Sequence, residues 1–377
     1  MDYRILFLTV LTIYCVDGLV EYSTEDTAAR GLFRIWQIEN GKAYRTAYET
    51  EGKFRKFKAN LEIINALNRM HSGETEFALN QFADLSTTEF RTMILMPKKT
   101  PPKFKSHRYV EEHVTDPLPE AFDWRQEKKV ITSVKNQGSA GTCWAFSTVG
   151  NIEGQWAMMG KPLTSFSVEQ IVECDGFQDT KNNKADCGVF GGWPYLAYEY
   201  VKKTGGLETE EDYPYCSGGG GAKGTCYICP APGYNKTLCG PPVTWCLKNE
   251  SCEAKVDRSK FVAGLQVVDW KAISQNETVI ADQLMKIGPL SVALDATLLQ
   301  FYHRGVFNPP FCDPKSLDHA VLLVGFGVEK GLFEKKPYWI IKNSWGPKWG
   351  QDGYFFIKRG GGTCGINTQV TTAILKA

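Results

Sequence analysis

The stretch Gln137-Gly-Ser-Ala-Gly-Thr-Cys143-Trp-Ala-Phe-Ser147 places one cysteine directly after Gly141-Thr142, at the head of an apolar, helix-like run. A thiolate is a far better nucleophile than a thiol, and a helix N-terminus beside a cationic imidazole lowers a thiol's pKa. Two further segments supply what such a nucleophile needs. His319 lies in Leu317-Asp-His319-Ala-Val-Leu-Leu-Val-Gly-Phe-Gly327 and opens the most apolar strand-like run of the second half. An imidazole is costly there without a polar task. Asn343 lies in Trp339-Ile-Ile-Lys-Asn343-Ser-Trp345-Gly346. Its neutral amide can orient one ring nitrogen of His319 so that the other faces sulfur, and Trp345 can shield that hydrogen bond from water. Gln137 precedes Cys143 by six residues. Its side-chain amide can join the Cys143 backbone N–H in stabilising an oxyanion.

The rest of the chain sets limits on this reading. It has 377 residues, 43% hydrophobic and 12% aromatic, which is enough for two packed units. The formal net charge is +1 with acids and bases interspersed, so no basic face for nucleic acid or anionic membrane is visible. Residues 5–16 form an apolar run after Met1-Asp-Tyr-Arg4, and Val16 and Gly18 fit a small-residue cleavage pattern. The run is too short for a bilayer about 30 Å thick, so residues 1–18 are expected to be a cleaved signal peptide and no membrane span is expected.

Of the twelve cysteines, Cys15 would leave with the signal and Cys143 is set aside as a free thiol. The remaining Cys174, Cys187, Cys216, Cys226, Cys229, Cys239, Cys246, Cys252, Cys312 and Cys364 are even in number, which permits disulfides in an oxidising compartment. Asn235, Asn249 and Asn276 head N-glycosylation sequons. The expected location is the secretory pathway, in a lysosome or endolysosomal vacuole or outside the cell.

Residues from about 25 to 95 are highly charged, with Glu49, Lys53, Phe57, Asn60, Ile64 and Asn68 on one helical face. A breaker at His71-Ser-Gly73 precedes Phe77-Ala-Leu-Asn80-Gln-Phe82-Ala-Asp84. The Pro/Lys-rich residues 97–103 then read as an exposed linker leading to Pro117-Leu-Pro119. A charged helical region joined by a linker to a cysteine-rich region looks like an inhibitory prosegment. Beyond it, residues 143–156, 168–174 and 193–203 are predicted helices. Residues 261–268, 290–294, 320–326, 338–342 and 354–358 are predicted strands, with a short helix over 278–287. An α-rich lobe followed by a β-rich lobe predicts an α+β fold with its ligand site at the seam.

The Cys143, His319 and Asn343 blocks, in this order, resemble the papain-like cysteine peptidases of the cathepsin group, closest to the F and L branches. The resemblance covers nearly the whole chain outside the signal and one insertion. It implies a two-lobed papain-like fold, with an α-rich left lobe, a β-barrel-like right lobe and a helical N-terminal prosegment. Residues 19–117 would be the inhibitory prosegment. Residues 118–377 would be the peptidase domain, with a cysteine-rich insertion at about 216–251. Glu49, Phe57, Asn60, Ile64 and Asn68 match the helical motif of cathepsin L-type prosegments, with Lys53 at the usual arginine. Asn80-Gln-Phe82-Ala-Asp84 matches the second motif, with Ala78 at the usual glycine. By this resemblance Cys143 would be the nucleophile, His319 the general base and acid, Asn343 the orienting residue and Gln137 the oxyanion donor.

The resemblance also implies a substrate wall at Gly191 and Gly192 and a main specificity pocket lined by Trp193, Pro194, Ala293, Leu317 and Ala320, with Gln369 near its base. Such walls favour Leu, Val or Phe, since apolar burial is worth roughly 25 cal/mol per Å². Cys174 would pair with Cys252, and Cys312 with Cys364. The implied activity is a cysteine endopeptidase that works through an acyl-thioester and is made as a zymogen activated by acid-triggered prosegment removal. Its partners would be peptide and protein substrates, its own prosegment and cystatin-type inhibitors. No cofactor and no metal are implied. A non-catalytic binding protein of the same fold and a transpeptidase are the alternatives.

The sequence departs from the family in two places. Relatives carry a cysteine three residues before the nucleophile, bonded to one just ahead of the Gly-Gly pair. Here Ala140 and Val189 stand at those positions, and Cys187 is displaced by two. An apolar Ala140–Val189 contact is expected to replace that crosslink, with Cys187 bonding elsewhere. The second departure is the insertion. Cys187 and its five cysteines pair in any of fifteen ways. Cys226-x-x-Cys229 lacks a nearby histidine, which disfavours zinc. No histidine lies between residues 114 and 302. The carboxylate-holding device of cathepsin B-type dipeptide release is therefore missing, and endopeptidase action is expected.

Overall fold

The computed structural model describes residues 13–16, 19–110, 114, 117–127, 129–218, 229–242, 251–331 and 335–376. The helix Cys143–Met158 is buried on nearly every side, as its near-continuous apolar sequence requires. Glycines let it sit close to its neighbours. A Cβ on Gly150 would meet Leu322 at 3.2 Å, and one on Gly154 would meet Pro289 at 2.9 Å. The helices Val168–Cys174 and Pro194–Thr204 pack beside it and complete the α-rich layer. Ser167 caps the first of these on Gln170 N–H, and Pro194 opens the second, where a missing N–H costs nothing.

The β-rich layer is a nine-stranded sheet. Its order is Thr75–Phe77, Tyr302–Phe307, Tyr354–Lys358, Lys335–Lys342, His319–Lys330, Leu290–Leu294, Val370–Leu375 and Val267–Ala272, with Phe122–Asp123 paired off this path to His319–Lys330. The expected α+β class therefore stands, but the β-barrel-like lobe does not. The sheet is open, because its two ends are covered separately. Thr75–Phe77 of the N-terminal region pairs antiparallel with Tyr302–Phe307 at one end. At the other, Val267–Ala272 packs on the helix Pro194–Thr204 and meets Tyr109 in a bridge at Ala272. Such covering also protects exposed strand edges.

The predicted strand over 261–268 is displaced to Val267–Ala272. The earlier residues turn instead, with Leu265 N–H donating to Val262 C=O and Gly264 at φ 84°. Strand Val370–Leu375 lies outside the runs expected from the sequence.

The N-terminal region forms the helices Asp26–Glu39, Ala47–His71 and Thr87–Met93. Phe33 and Trp36 pack on Phe57 with ring centroids 5.1 and 5.4 Å apart. The polar residues of the long helix hold the extended segment that follows. Asn68 brackets Phe77 with bonds of 3.0 and 2.8 Å. Asn60 donates to the carbonyls of Ala83 and Leu85, both at 2.8 Å. Asp84, nearly fully buried, takes Lys42 at 3.2 Å and the Tyr44 hydroxyl at 2.9 Å.

Both disulfides implied by the resemblance form, Cys174–Cys252 and Cys312–Cys364. Cys187 bonds to Cys239, so the insertion takes up the displaced cysteine. Cys216 and Cys229 are also disulfide-bonded, whereas Cys226, Cys246 and Asn249 lie outside the described residues. In place of the missing crosslink beside Cys143, Gly141 N–H donates to Val189 C=O at 2.9 Å. The expected signal lies outside the described residues except for Ile13–Val16, which pairs with Leu19–Tyr22. Among the described residues no helix is long and apolar enough to cross a membrane.

Candidate active site

Cys143 is the first residue of the helix Cys143–Met158 and the one free cysteine among the described residues. His319 starts the strand His319–Lys330, so the N–H of the next residue, Ala320, reaches Cys143 Sγ at 3.5 Å. The strand thus brings imidazole and thiol to one seam between the two layers.

Asn343 Oδ1 accepts from Ser344 N–H and from His319 Nε2, both at 2.8 Å. An amide oxygen only accepts, so Nε2 carries the ring hydrogen and Nδ1 keeps its lone pair. Nδ1 is buried without a partner. Trp345 stacks on the imidazole with centroids 4.7 Å apart and walls off the His319–Asn343 bond. Gln137 is also buried. Its Oε1 accepts from the Ser344 hydroxyl at 2.7 Å, which aims Nε2 towards the nucleophile's loop.

That Nε2 is not free. It donates at 2.7 Å to Ala140 C=O and at 2.7 Å to Ile94 C=O, the latter from the N-terminal region. Residues 94–100 form a strap at the seam: Ile94, Leu95 and Met96 are buried, whereas Pro97, Lys98 and Thr100, the start of the expected linker, are exposed but tied to the peptidase half. Met96 N–H donates to Asp318 C=O at 2.9 Å, and Gly192 N–H reaches Met96 Sδ at 3.4 Å. Lys99 and Leu317 exchange two backbone bonds of 2.9 Å, and Lys98 pairs with the buried Asp295 at 2.9 Å. Backbone pairing on both sides accounts for the strap's order despite its polar composition.

Covering the seam changes its electrostatics. Burial pushes the Cys143 thiol up to about 12, with the nearby Asp318 adding to the shift. Burial also pushes His319 down to about 4, although the bond to Asn343 opposes it. Both shifts favour the neutral forms, away from the thiolate–imidazolium pair expected from the sequence. The leading cause of both shifts is desolvation by burial.

The expected pocket residues divide into two groups. Trp193, Pro194, Ala293, Leu317 and Ala320 are buried around the strap or on the facing strands, with Ala320 opposite Ala293 in register. Gly191 lies against Met96, 3.0 Å from where a Cβ would stand. Gln369 is buried with both amide atoms lacking partners. Lys98, Asp295 and Asp318 were not singled out from the sequence, because only the paired backbone brings them beside the seam. Among the described residues no group of acidic, His or Cys side chains is arranged to hold a metal.

Residues 118–374 match the family described as "Papain family cysteine protease", and residues 33–90 match the "Cathepsin propeptide inhibitor domain (I29)". The chain is 35% identical over 380 residues to cysteine proteinase 1 of Dictyostelium discoideum, covering 99% of this chain and all (100%) of that one. It is 34% identical over 349 residues to cathepsin F of Mus musculus, covering 91% of this chain and 64% of that one. Its backbone matches digestive procathepsin L 3 of Tenebrio molitor with a TM-score of 0.71 at 30% identity, over 92% and 99% of the two chains. With a propeptide inhibitor domain ahead of the protease domain, this chain belongs to the papain family of cysteine proteases, as a cysteine-type peptidase in zymogen form.

Proposed function

We propose that Cys143 is the nucleophile of an endopeptidase, with His319 as general base and acid, Asn343 as its orienting residue and Gln137 as oxyanion donor. The observation that carries this reading is the partnerless Nδ1 of His319, buried while Nε2 is held by Asn343. In the open enzyme the Cys143 proton passes to Nδ1. The thiolate then attacks the substrate carbonyl, forming a C–S bond, while Gln137 Nε2 and the Cys143 N–H stabilise the oxyanion. His319 returns the proton to the leaving amine as the C–N bond breaks. Water, deprotonated by His319, then attacks the thioester, and the C–S bond breaks to release the acid.

Residues 19–117 act as the prosegment and residues 118–377 as the peptidase. The Ile94 carbonyl on Gln137 supports the first assignment, since it occupies the oxyanion donor in the closed form. Acid favours opening. His319 and His71 are both held below their ordinary 6.5, chiefly by burial, so closure is undisturbed above that value and is opposed as pH falls from it towards the buried values. Asp295 is held low despite its burial by the Asp313 N–H and Lys98, so stronger acid also weakens the strap.

The main pocket favours Leu, Val or Phe, with neutral Gln369 at its base. Asn276 is exposed and remains a glycan acceptor, as does half-buried Asn235. Location in the secretory pathway, within an endolysosomal compartment or outside the cell, follows from the disulfides and the cathepsin relatives, and cystatin-type inhibitors fit the same open seam. Incubating the full chain at acid pH tests the proposal. Loss of roughly 100 N-terminal residues should release thiol-dependent cleavage within long peptides. Processing without such activity, or with dipeptide release alone, would refute it.

A further inference from the structure

Two carboxyl groups that the peptide chemistry does not use are buried behind the pocket wall. Asp175 follows the helix Val168–Cys174 and Asp186 precedes Cys187, and both are fully buried at 0% exposure. The neighbouring disulfides Cys174–Cys252 and Cys187–Cys239 fix the backbone at each position. Each carboxyl has one oxygen conventionally satisfied. Asp175 Oδ1 accepts from Phe177 N–H at 2.9 Å, and Asp186 Oδ1 accepts from Trp193 N–H at 2.6 Å. Each Oδ2 is buried with no donor. Phe177 ties the two positions together, its N–H donating to Asp175 Oδ1 and its C=O accepting from Asp186 N–H, both at 2.9 Å, so that the carboxyls are neighbours. Two carboxylates only accept, so one proton between them is what gives both orphaned oxygens a partner.

The pair stands directly behind the substrate wall. A Cβ on Gly192 would lie 2.5 Å from the Trp144 ring and 2.7 Å from Asp186 Oδ1, while its N–H faces Met96 of the strap. We propose that Asp175 and Asp186 share one proton and serve together as positioning residues for residues 191–193, so that peptide binding is tightest in acid.

Burial raises both carboxyls above the usual carboxylate range, and repulsion by Asp175 adds to the shift of Asp186. Among the described residues, Lys99 of the strap faces Asp186 and pulls it down, while Tyr195 and Tyr200 approach the pair from the helix Pro194–Thr204. Lys99 leaves with the prosegment, so the activated enzyme holds the proton more firmly than the zymogen. For a raised carboxyl, stability is full below the ordinary value of 3.8 and is lost as pH rises through the folded value.

The test starts from the full chain, wild type, Asp175→Asn and Asp186→Asn, since an amide supplies permanently the hydrogen that the proton supplies in acid. Each is processed in acid and assayed with a peptide bearing Leu at the main pocket between about pH 5 and about pH 9. The wild-type KM is expected to rise about five- to ten-fold across that range, as for the net loss of one ordinary hydrogen bond, with kcat changing less. Both Asn variants should flatten this rise. Thermal midpoints of the unprocessed chains, which need no substrate, should show the same flattening. Asn variants with the wild-type pH dependence in both measurements would overturn the shared proton. Flattened midpoints with an unchanged KM rise would overturn the positioning role and fault the reading of residues 191–193 as the wall.

Discussion

The prosegment meets the catalytic half in two unlike ways. At one place Phe82 and Phe90 set their ring edges against Trp345 at 5.6 and 5.3 Å, and Thr75–Phe77 extends the sheet. At the other, residues 94–100 cross the seam with backbone bonds, one ion pair and Met96. The first contact is aromatic and packs on Trp345, behind the imidazole; the second is mostly backbone pairing and reaches Gln137, Gly192 and Asp318 at the seam. The difference separates two jobs. The aromatic anchor supplies most of the affinity, because burial of large rings is worth several kcal/mol. The strap is proposed to supply inhibition, because the Ile94 carbonyl occupies the amide of Gln137.

Breaking the anchor should have the largest effect. Phe90→Ala is expected to cost about 3–5 kcal/mol and to raise labelling of Cys143 in the uncleaved chain at neutral pH by at least about 100-fold. A thiol-directed peptide probe reads this rate directly, and an unchanged rate would place the affinity elsewhere. Gln137→Ala sharpens the comparison because its two consequences oppose each other. The strap loses its Ile94 partner and opens sooner, yet kcat of the processed enzyme should fall about 100-fold. Faster opening with undiminished kcat would remove Gln137 from the chemistry.

The pH dependence comes next. Closure holds His319 neutral, at about 4 instead of 6.5, so it is fully favoured above 6.5 and weakens as pH falls from there towards 4. Labelling of uncleaved chain should therefore accelerate over that window, and stopped-flow rates at a series of pH values check it. Lys98→Ala acts on the strap alone. Lys98 is partly exposed whereas Asp295 is buried, so the loss is expected to be about 1 kcal/mol, seen as roughly five-fold faster processing. Gln369→Glu should leave activation unchanged and shift a substrate library towards Arg at the main pocket.

The contrast between anchor and strap also explains how far the sequence was legible. The helix of Cys143, the strand of His319 and the loop of Asn343 declare themselves, because each is an apolar run with one polar residue at its end. The helical face bearing Phe57, Asn60 and Asn68 is equally plain. The strap is not. Lys98 and Lys99 read as linker because their order comes from Asp295 and Leu317, about two hundred residues away in sequence. Tyr302–Phe307 is only faintly legible for a related reason. His303, Arg304 and Gly305 break the apolar pattern, and pairing with Thr75–Phe77 and Tyr354–Lys358 settles its conformation. The lobe's openness depends on which neighbours cover its two outer strands, which strand periodicity does not encode. Cys187 illustrates the limit of parity counting, which allowed fifteen pairings where the fold selects Cys239.

The central claim is that Cys143 performs the chemistry and that the strap withholds it. Active-site titration of the acid-processed chain with a thiol-directed peptide, with the label located by mass spectrometry, tests it most directly. The account predicts one equivalent of label per chain, on Cys143, with hydrolysis lost in proportion and almost no label on the closed chain at neutral pH. Full labelling of Cys143 with hydrolysis undiminished would contradict it.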